Sequence, residues 1–248
     1  MNGHALLEAR GVTVGFGGLV AVDAVSAAFA AGELVGIIGP NGAGKTTFFN
    51  ALSGVQQVTA GELYAHGQRL TGAKPHRYAA QGIARTFQTP RVFAELSVQA
   101  NIQFGLEFAG RGRKASWLLK DAQSILNLIG LAEQSALPAA AITPSQQRLL
   151  EIGMALATRP RLLLLDEVAA GLTEAEVDAM AQLIRRLRDE LDLTVIWIEH
   201  AVTTLLRYVE RVIVLHQGRK IADGTPAEVV RNAEVIEAYL GDEMAEAA

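Results

Sequence analysis

The residues best equipped for chemistry lie in one stretch, Gly39-Pro40-Asn41-Gly42-Ala43-Gly44-Lys45-Thr46-Thr47. It fits the pattern G-x-x-x-x-G-K-[ST], in which a glycine-rich loop wraps phosphate groups. Glycines let backbone N–H groups converge on phosphate oxygens, and a helix starting near Lys45 adds the positive end of its dipole. In such a loop the Lys45 ammonium reaches the β- and γ-phosphates and the Thr46 hydroxyl ligates Mg²⁺. A turn that merely joins strand to helix is the plainer alternative. The flanks favour phosphate: the apolar run Leu34-Val35-Gly36-Ile37-Ile38 leads in, and a helical stretch from Phe48 to Leu52 leads out.

Three further stations follow. Asp166-Glu167 closes the apolar run Leu162-Leu163-Leu164-Leu165, which reads as a strand buried on both faces. Beside a phosphate loop, Asp166 is placed to hold Mg²⁺ and Glu167 to take a proton from a water attacking the γ-phosphate. Two acids at a solvent boundary would be the bland reading. His200 follows the strand-like run from Thr194 to Ile198, and strand C-termini are where ligands meet an open parallel sheet. There it can donate to the γ-phosphate and orient the water, although a lone histidine is commonly structural. Gln88 ends Ile83–Gln88 in the same way; its amide can touch Mg²⁺ or the attacking water.

These stations need a frame. The 248 residues suit one α/β domain with room for an inserted subdomain, and half of them are hydrophobic. The net charge of −4 offers no basic field for nucleic acid, and Arg111-Gly112-Arg113-Lys114 is too short a run to change that. With no cysteine, disulfides, thiol catalysis and cysteine metal sites are excluded. No secretory signal is visible at the N-terminus, and the longest apolar runs fall far short of the ~20 residues that a membrane span needs.

Residues 5–38 read as short strands feeding the loop, Gly61–His66 as another strand and Ile83–Gln88 as a further one. From about Pro90 to Leu156 the apolar spacing turns helical, over Ser97–Phe108, Ser116–Leu128 and Gln146–Leu156. Thr173 with Glu176 is a capping box, behind which Val177, Met180, Ala181, Ile184, Leu187 and Leu191 share one helical face. A hairpin across Gln217-Gly218 and a terminal helix begun by Thr225-Pro226 close the chain. The expected division is an ATPase core, 1–89 and 157–248, around a helical insertion at about 90–156.

In this order the stations resemble the nucleotide-binding subunits of ABC transporters. FGGLVAVD (16–23), RTFQTPRVF (85–93), QQRLLEI (146–152) and GTPAEVVRN with EVIEAYLG (224–241) look like the ATP-binding subunit of bacterial branched-chain amino-acid importers. Urea and amide importers are close to these. The resemblance implies an ABC-type P-loop NTPase core with an antiparallel β subdomain and an inserted α-helical subdomain. It implies ATP and Mg²⁺ as cofactors, ATP hydrolysis, and a head-to-tail pair of ATPase subunits sandwiching two nucleotides. Phe16 matches the aromatic that stacks on adenine. The segment from Gln88 to Phe93, with the helical insertion, would grip a membrane-spanning permease from the cytoplasmic face.

The chain departs from that family where Leu-Ser-Gly-Gly-Gln is usual: here stand Ile142-Thr143-Pro144-Ser145-Gln146. Thr143, Ser145 and Gln146 are the residues that would face a partner's ATP. Pro144 lacks an N–H and Ser145 adds a side chain where glycine allows close approach. Losing one such donor costs on the order of 3 kcal/mol, about a hundredfold in rate. The expectation is a weak signature paired with an intact phosphate loop and Glu167, and hence a heterodimer with a second ABC ATPase subunit, a homodimer being the alternative. Val168 and Thr173 replace the usual proline and the usual Asp or Asn. A soluble ABC ATPase outside transport, a P-loop kinase and a non-hydrolysing subunit are the competing readings. A single cassette opposes the first, Gln88 and His200 the second, and Glu167 the third.

Overall fold

The computed structural model describes residues 5–108, 119–199 and 202–246. It opens with two long antiparallel strands, β1 (Leu7–Phe16) and β2 (Leu19–Phe29), joined through Gly17 in the left-handed region. β3 (Leu34–Ile38) runs into the glycine-rich loop, from which α1 (Lys45–Leu52) departs. β4 (Ala60–Ala65), β5 (Gln68–Arg69), α2 (Pro75–Ala80) and β6 (Ile83–Arg85) follow. Then come the helices α3 (Val98–Phe108), α4 (Ala122–Leu128) and α5 (Pro144–Ala157). β7 (Leu162–Asp166), α6 (Glu174–Leu191), β8 (Thr194–Ile198) and α7 (Val202–Tyr208) restore the α/β pattern. The hairpin β9 (Arg211–His216) and β10 (Arg219–Gly224), with α8 (Pro226–Val229) and α9 (Ala233–Glu246), completes the order.

The strands form two sheets. One is antiparallel, in the order β2-β1-β4-β5; the other has the order β10-β9-β3-β8-β7-β6 and is parallel apart from β10. Period-two alternation splits the second sheet cleanly between two cores. Val35, Ile37, Leu162, Leu164, Ile196, Ile198, Ile213 and Leu215 face α1 and the antiparallel sheet. Leu34, Ile38, Leu163, Leu165, Val195, Trp197, Val212 and Val214 face the helices. Burying each such side chain is worth about 1.5–3 kcal/mol, so both faces of β3 help to hold the loop that follows it. Gly36 is needed there because a Cβ would meet the Leu205 side chain of α7 at 2.3 Å.

Local chemistry sets the helix starts. Thr143 accepts from the Gln146 N–H at 3.2 Å while its own N–H donates to Gln146 Oε1 at 3.0 Å, with Pro144 at the first helical position. Thr173 and Glu176 cap α6 in the same way, and Met180, Ala181, Ile184 and Leu187 are buried as expected. Val177 and Leu191 are partly buried against the same core.

Several expectations shift. Two of the strands in 5–38, β1 and β2, are long rather than short, because β1 pairs with β2 on one side and β4 on the other. The strand expected over 83–88 ends at Arg85, where pairing with β7 stops, so Gln88 lies in the loop beyond it. The helix expected from Ser116 starts at Ala122 behind the Asp121 cap, residues 116–118 being outside the described ones. The terminal helix is two helices, α8 of four residues and then α9. α2 escaped the sequence reading. Among the described residues no helix is long and apolar enough to cross a membrane.

Candidate functional site

The loop between β3 and α1 is shaped by its glycines. Gly39, Gly42 and Gly44 all take positive φ, at 152°, 74° and 92°. At Gly39 a Cβ would lie 2.0 Å from the Leu215 carbonyl oxygen, and at Gly44 one would lie 2.3 Å from that of Ala21. Pro40 accepts from the Ala43 N–H, and Ala43 in turn accepts from the Gly218 N–H, which latches the loop to the β9–β10 turn. Asn41, Gly42 and Thr46 are exposed, and Thr47 is half-buried behind them. Lys45 is buried, its Nζ donating to the carbonyls of Gly39 at 2.6 Å and Pro40 at 2.8 Å. Burial pulls the Lys45 pKa down, and the charge of Glu167 pulls it back up. The ammonium is thus folded over the loop's own carbonyls, placed to exchange them for phosphate oxygens.

Asp166 and Glu167 stand at the C-terminal end of β7, next but one to β3 in the sheet. The Asp166 carboxylate receives Arg85 at 3.1 Å, and its N–H donates to Thr86 Oγ1 at 3.2 Å. Glu167 holds φ +50°, a costly conformation for a residue with a Cβ, while its N–H still donates to Ile198 O at 3.0 Å. That turn swings its side chain to Gln88, whose Nε2 donates to Glu167 Oε2 at 2.6 Å. Three of the four sequence stations are therefore in one place, with Lys45 in electrostatic reach of Glu167. His200 lies outside the described residues; Glu199 before it is buried, accepting from Ala169 N–H at 2.7 Å and Trp197 Nε1 at 3.0 Å.

Two groups stand apart from that cluster. Phe16 ends β1 at the hairpin tip and is 48% exposed, on the sheet whose β2 touches the loop through Ala21. Thr143, exposed, and Ser145 and Gln146, half-buried, form the start of α5, and their side chains are spent locally. Thr143 and Gln146 cap each other, and Ser145 Oγ pairs with Thr143 Oγ1 at 3.0 Å. Arg148, one turn on, donates to the carbonyls of Val168 and Ala170, so α5 is tied to the segment after Glu167.

Sequence reasoning missed four contributors. Arg85, Glu151, Arg148 and Glu199 are buried or half-buried charges, each with at least one partner distant in the chain. A charged residue inside an otherwise apolar stretch, as in Leu150-Glu151-Ile152, was the available signal.

A family model described as ABC transporter matches residues 22–170, and one described as branched-chain amino acid ATP-binding cassette transporter matches residues 219–245. The chain belongs to the ABC transporter family and is a transport ATPase, an ATP-binding subunit whose membership implies membrane-spanning partners. Among its relatives is the high-affinity branched-chain amino acid transport ATP-binding protein BraF of Pseudomonas aeruginosa, 37% identical over 96% of this chain and 98% of that protein. LivG of Escherichia coli K12, described in the same words, is 38% identical over 96% and 98%. A solved ATP-binding cassette of an ABC transporter in its ADP conformation superposes with a TM-score of 0.84 at 28% identity, covering 96% of this chain and 99% of that one.

Proposed function

We propose that the chain is the ATP-hydrolysing subunit of an importer of branched-chain amino acids, working at the cytoplasmic face of the membrane through its permease partners. The observation that carries the hydrolytic part is the Gln88–Glu167 hydrogen bond beside Lys45. It joins a γ-phosphate sensor to a general base at the mouth of the phosphate loop. Backbone N–H groups of the loop from Gly42 to Thr47, together with the Lys45 ammonium, bind the phosphates, and Phe16 stacks on the base. Glu167 takes the proton of the attacking water, which Gln88 and His200 orient.

Thr46, Asp166 and Gln88 offer a hydroxyl, a carboxylate and an amide oxygen. That is a hard-oxygen set too small to hold a cation alone, and it suits Mg²⁺ completed by phosphates and water. Bound there, Mg²⁺ neutralises charge that develops on the phosphates. The division into an ATPase core, 1–89 and 157–248, and a helical insertion at about 90–156 fits the grouping of α3, α4 and α5 in one stretch. Phe93, Leu96 and Phe104 are exposed near Gln88 in sequence, and Phe93 packs edge-on to Phe104 at 4.8 Å. This apolar surface suits a permease helix.

The signature segment is the weak part. Pro144 has no N–H, and Ser145 adds a side chain where a glycine would allow another subunit's γ-phosphate close approach. A heterodimer in which the partner carries the stronger signature follows. Reconstitution with permeases, partner ATPase and binding protein tests the whole reading. ATP hydrolysis should rise with leucine, isoleucine or valine; stimulation by urea or an amide instead would reassign the solute and leave the ATPase intact.

A further inference from the structure

α5 turns a buried face toward the core, and Glu151 lies on it between Leu150 and Ile152, only 6% exposed. A carboxyl so deep needs donors. It finds them in the main chain of the segment after β6. The Arg91 N–H donates to Oε1 at 3.0 Å, and the Phe87 N–H is shared between Oε1 and Oε2 at 3.3 Å each. Phe87 and Arg91 bracket Gln88, so a single carboxyl closes both ends of the turn that presents it. The Arg85 and Arg91 guanidiniums stack over the Phe87 ring, 4.5 and 4.0 Å from its centroid, and add favourable charge.

We propose that Glu151 is a positioning residue for ATP hydrolysis: by holding the backbone N–H groups of Phe87 and Arg91 it fixes the turn that carries Gln88, keeps the Gln88 amide on Glu167, and ties that turn to the helix beginning at Thr143–Gln146. Glu151 touches no reacting atom. The inference rests on the hydrolytic reading above. Because its bonds go to main chain, any displacement of α5 carries Gln88 along, with no flexible side chain on the receiving end.

The test uses the full chain in its transporter complex. Glu151→Gln is nearly isosteric, keeps one acceptor and turns an NH₂ toward the backbone donors. It should lower kcat about tenfold while KM for ATP stays within about twofold, the split expected when a catalytic group is misplaced and binding is not. Combined with Gln88→Ala, it should slow the enzyme no further than Gln88→Ala alone, to within about twofold. Losses that multiply, or an unchanged kcat, overturn the proposal and leave the ATPase reading standing. A wild-type complex that hydrolyses no ATP overturns both. Hydrogen exchange on the purified chain supplies a readout without turnover. The Phe87 and Arg91 amides should exchange at least about tenfold faster in Glu151→Gln than in the wild type, with α1 unaffected. Equal exchange also overturns it.

Discussion

The Arg85 guanidinium donates to Asp166 Oδ2 across 3.1 Å, and both side chains are almost out of solvent. β6 pairs with β7 so that Arg85 sits opposite Leu164, which brings the cation alongside the acid at the end of the neighbouring strand. The same guanidinium donates to Asn50 Oδ1 at 2.6 Å and Ser53 Oγ at 2.9 Å on the phosphate-loop helix and its C-cap. One cation thereby joins the helix after the loop to the carboxylate assigned to Mg²⁺. Breaking such a pair leaves a buried charge uncompensated, so Arg85→Gln should cost about 3 kcal/mol of stability. Urea unfolding measures it. A variant as stable as the wild type would mean that Asp166 does not depend on Arg85.

Lys45→Ala removes the ammonium that sits over Gly39 and Pro40. Fluorescent ATP-analogue titration should show binding weakened at least about tenfold, since charge-assisted bonds to phosphate are the strong ones. Undiminished affinity would remove the loop from the binding site.

Glu167→Gln keeps an acceptor opposite Gln88 but cannot accept the water's proton. Steady-state hydrolysis should fall about a hundredfold or more, with ATP affinity retained. If the proposed mixed dimer forms, with this chain's ATP facing a stronger signature on the partner, the same change made in this chain should be the more damaging. Equal losses from either subunit would contradict that asymmetry.

Gly44→Ala places a methyl 2.3 Å from the Ala21 carbonyl oxygen at a φ of 92°. Overpacking and left-handed strain together should cost about 2–4 kcal/mol and loosen ATP binding. Gly67→Ala has a similar φ of 75° but open space around it, so it should cost only about 1 kcal/mol and leave ATP affinity alone. Thermal unfolding with and without nucleotide separates the two.

Glu151 supplies a pH signature. Burial lifts its carboxyl from 4.5 to about 7, against the pull of the Arg91 and Phe87 N–H groups and the Arg85 and Arg91 charges. The folded chain therefore holds a proton that the unfolded chain has lost between these values. Stability contributed by this group is full below about pH 4.5, falls as pH rises, and levels off above about 7. The wild type should lose on the order of 3 kcal/mol relative to Glu151→Gln across that window. Unfolding curves for the two proteins that run parallel from pH 5 to 8 would refute it.

What could be read from the sequence was chemistry that acts over a few residues. The glycine-rich loop, the capping box at Thr173, the helix start at Thr225-Pro226 and the doubly buried Leu162–Leu165 strand are all set by near neighbours. What stayed hidden depended on partners far along the chain. Nothing near Gln88 says that pairing with β7 ends at Arg85, three residues earlier. Glu151 is opaque for the same reason, because its donors lie some 60 residues upstream. α2 has only six residues and buries only Tyr78, too little to leave a period in the sequence.

The latch between Ala21, Gly44 and Gly218 has a consequence for movement. Because the phosphate loop is wedged against β2 and the β9–β10 turn, the antiparallel sheet cannot swing away without prying that loop open. The Phe16 edge proposed for the base and the loop proposed for the phosphates thus share a single chassis.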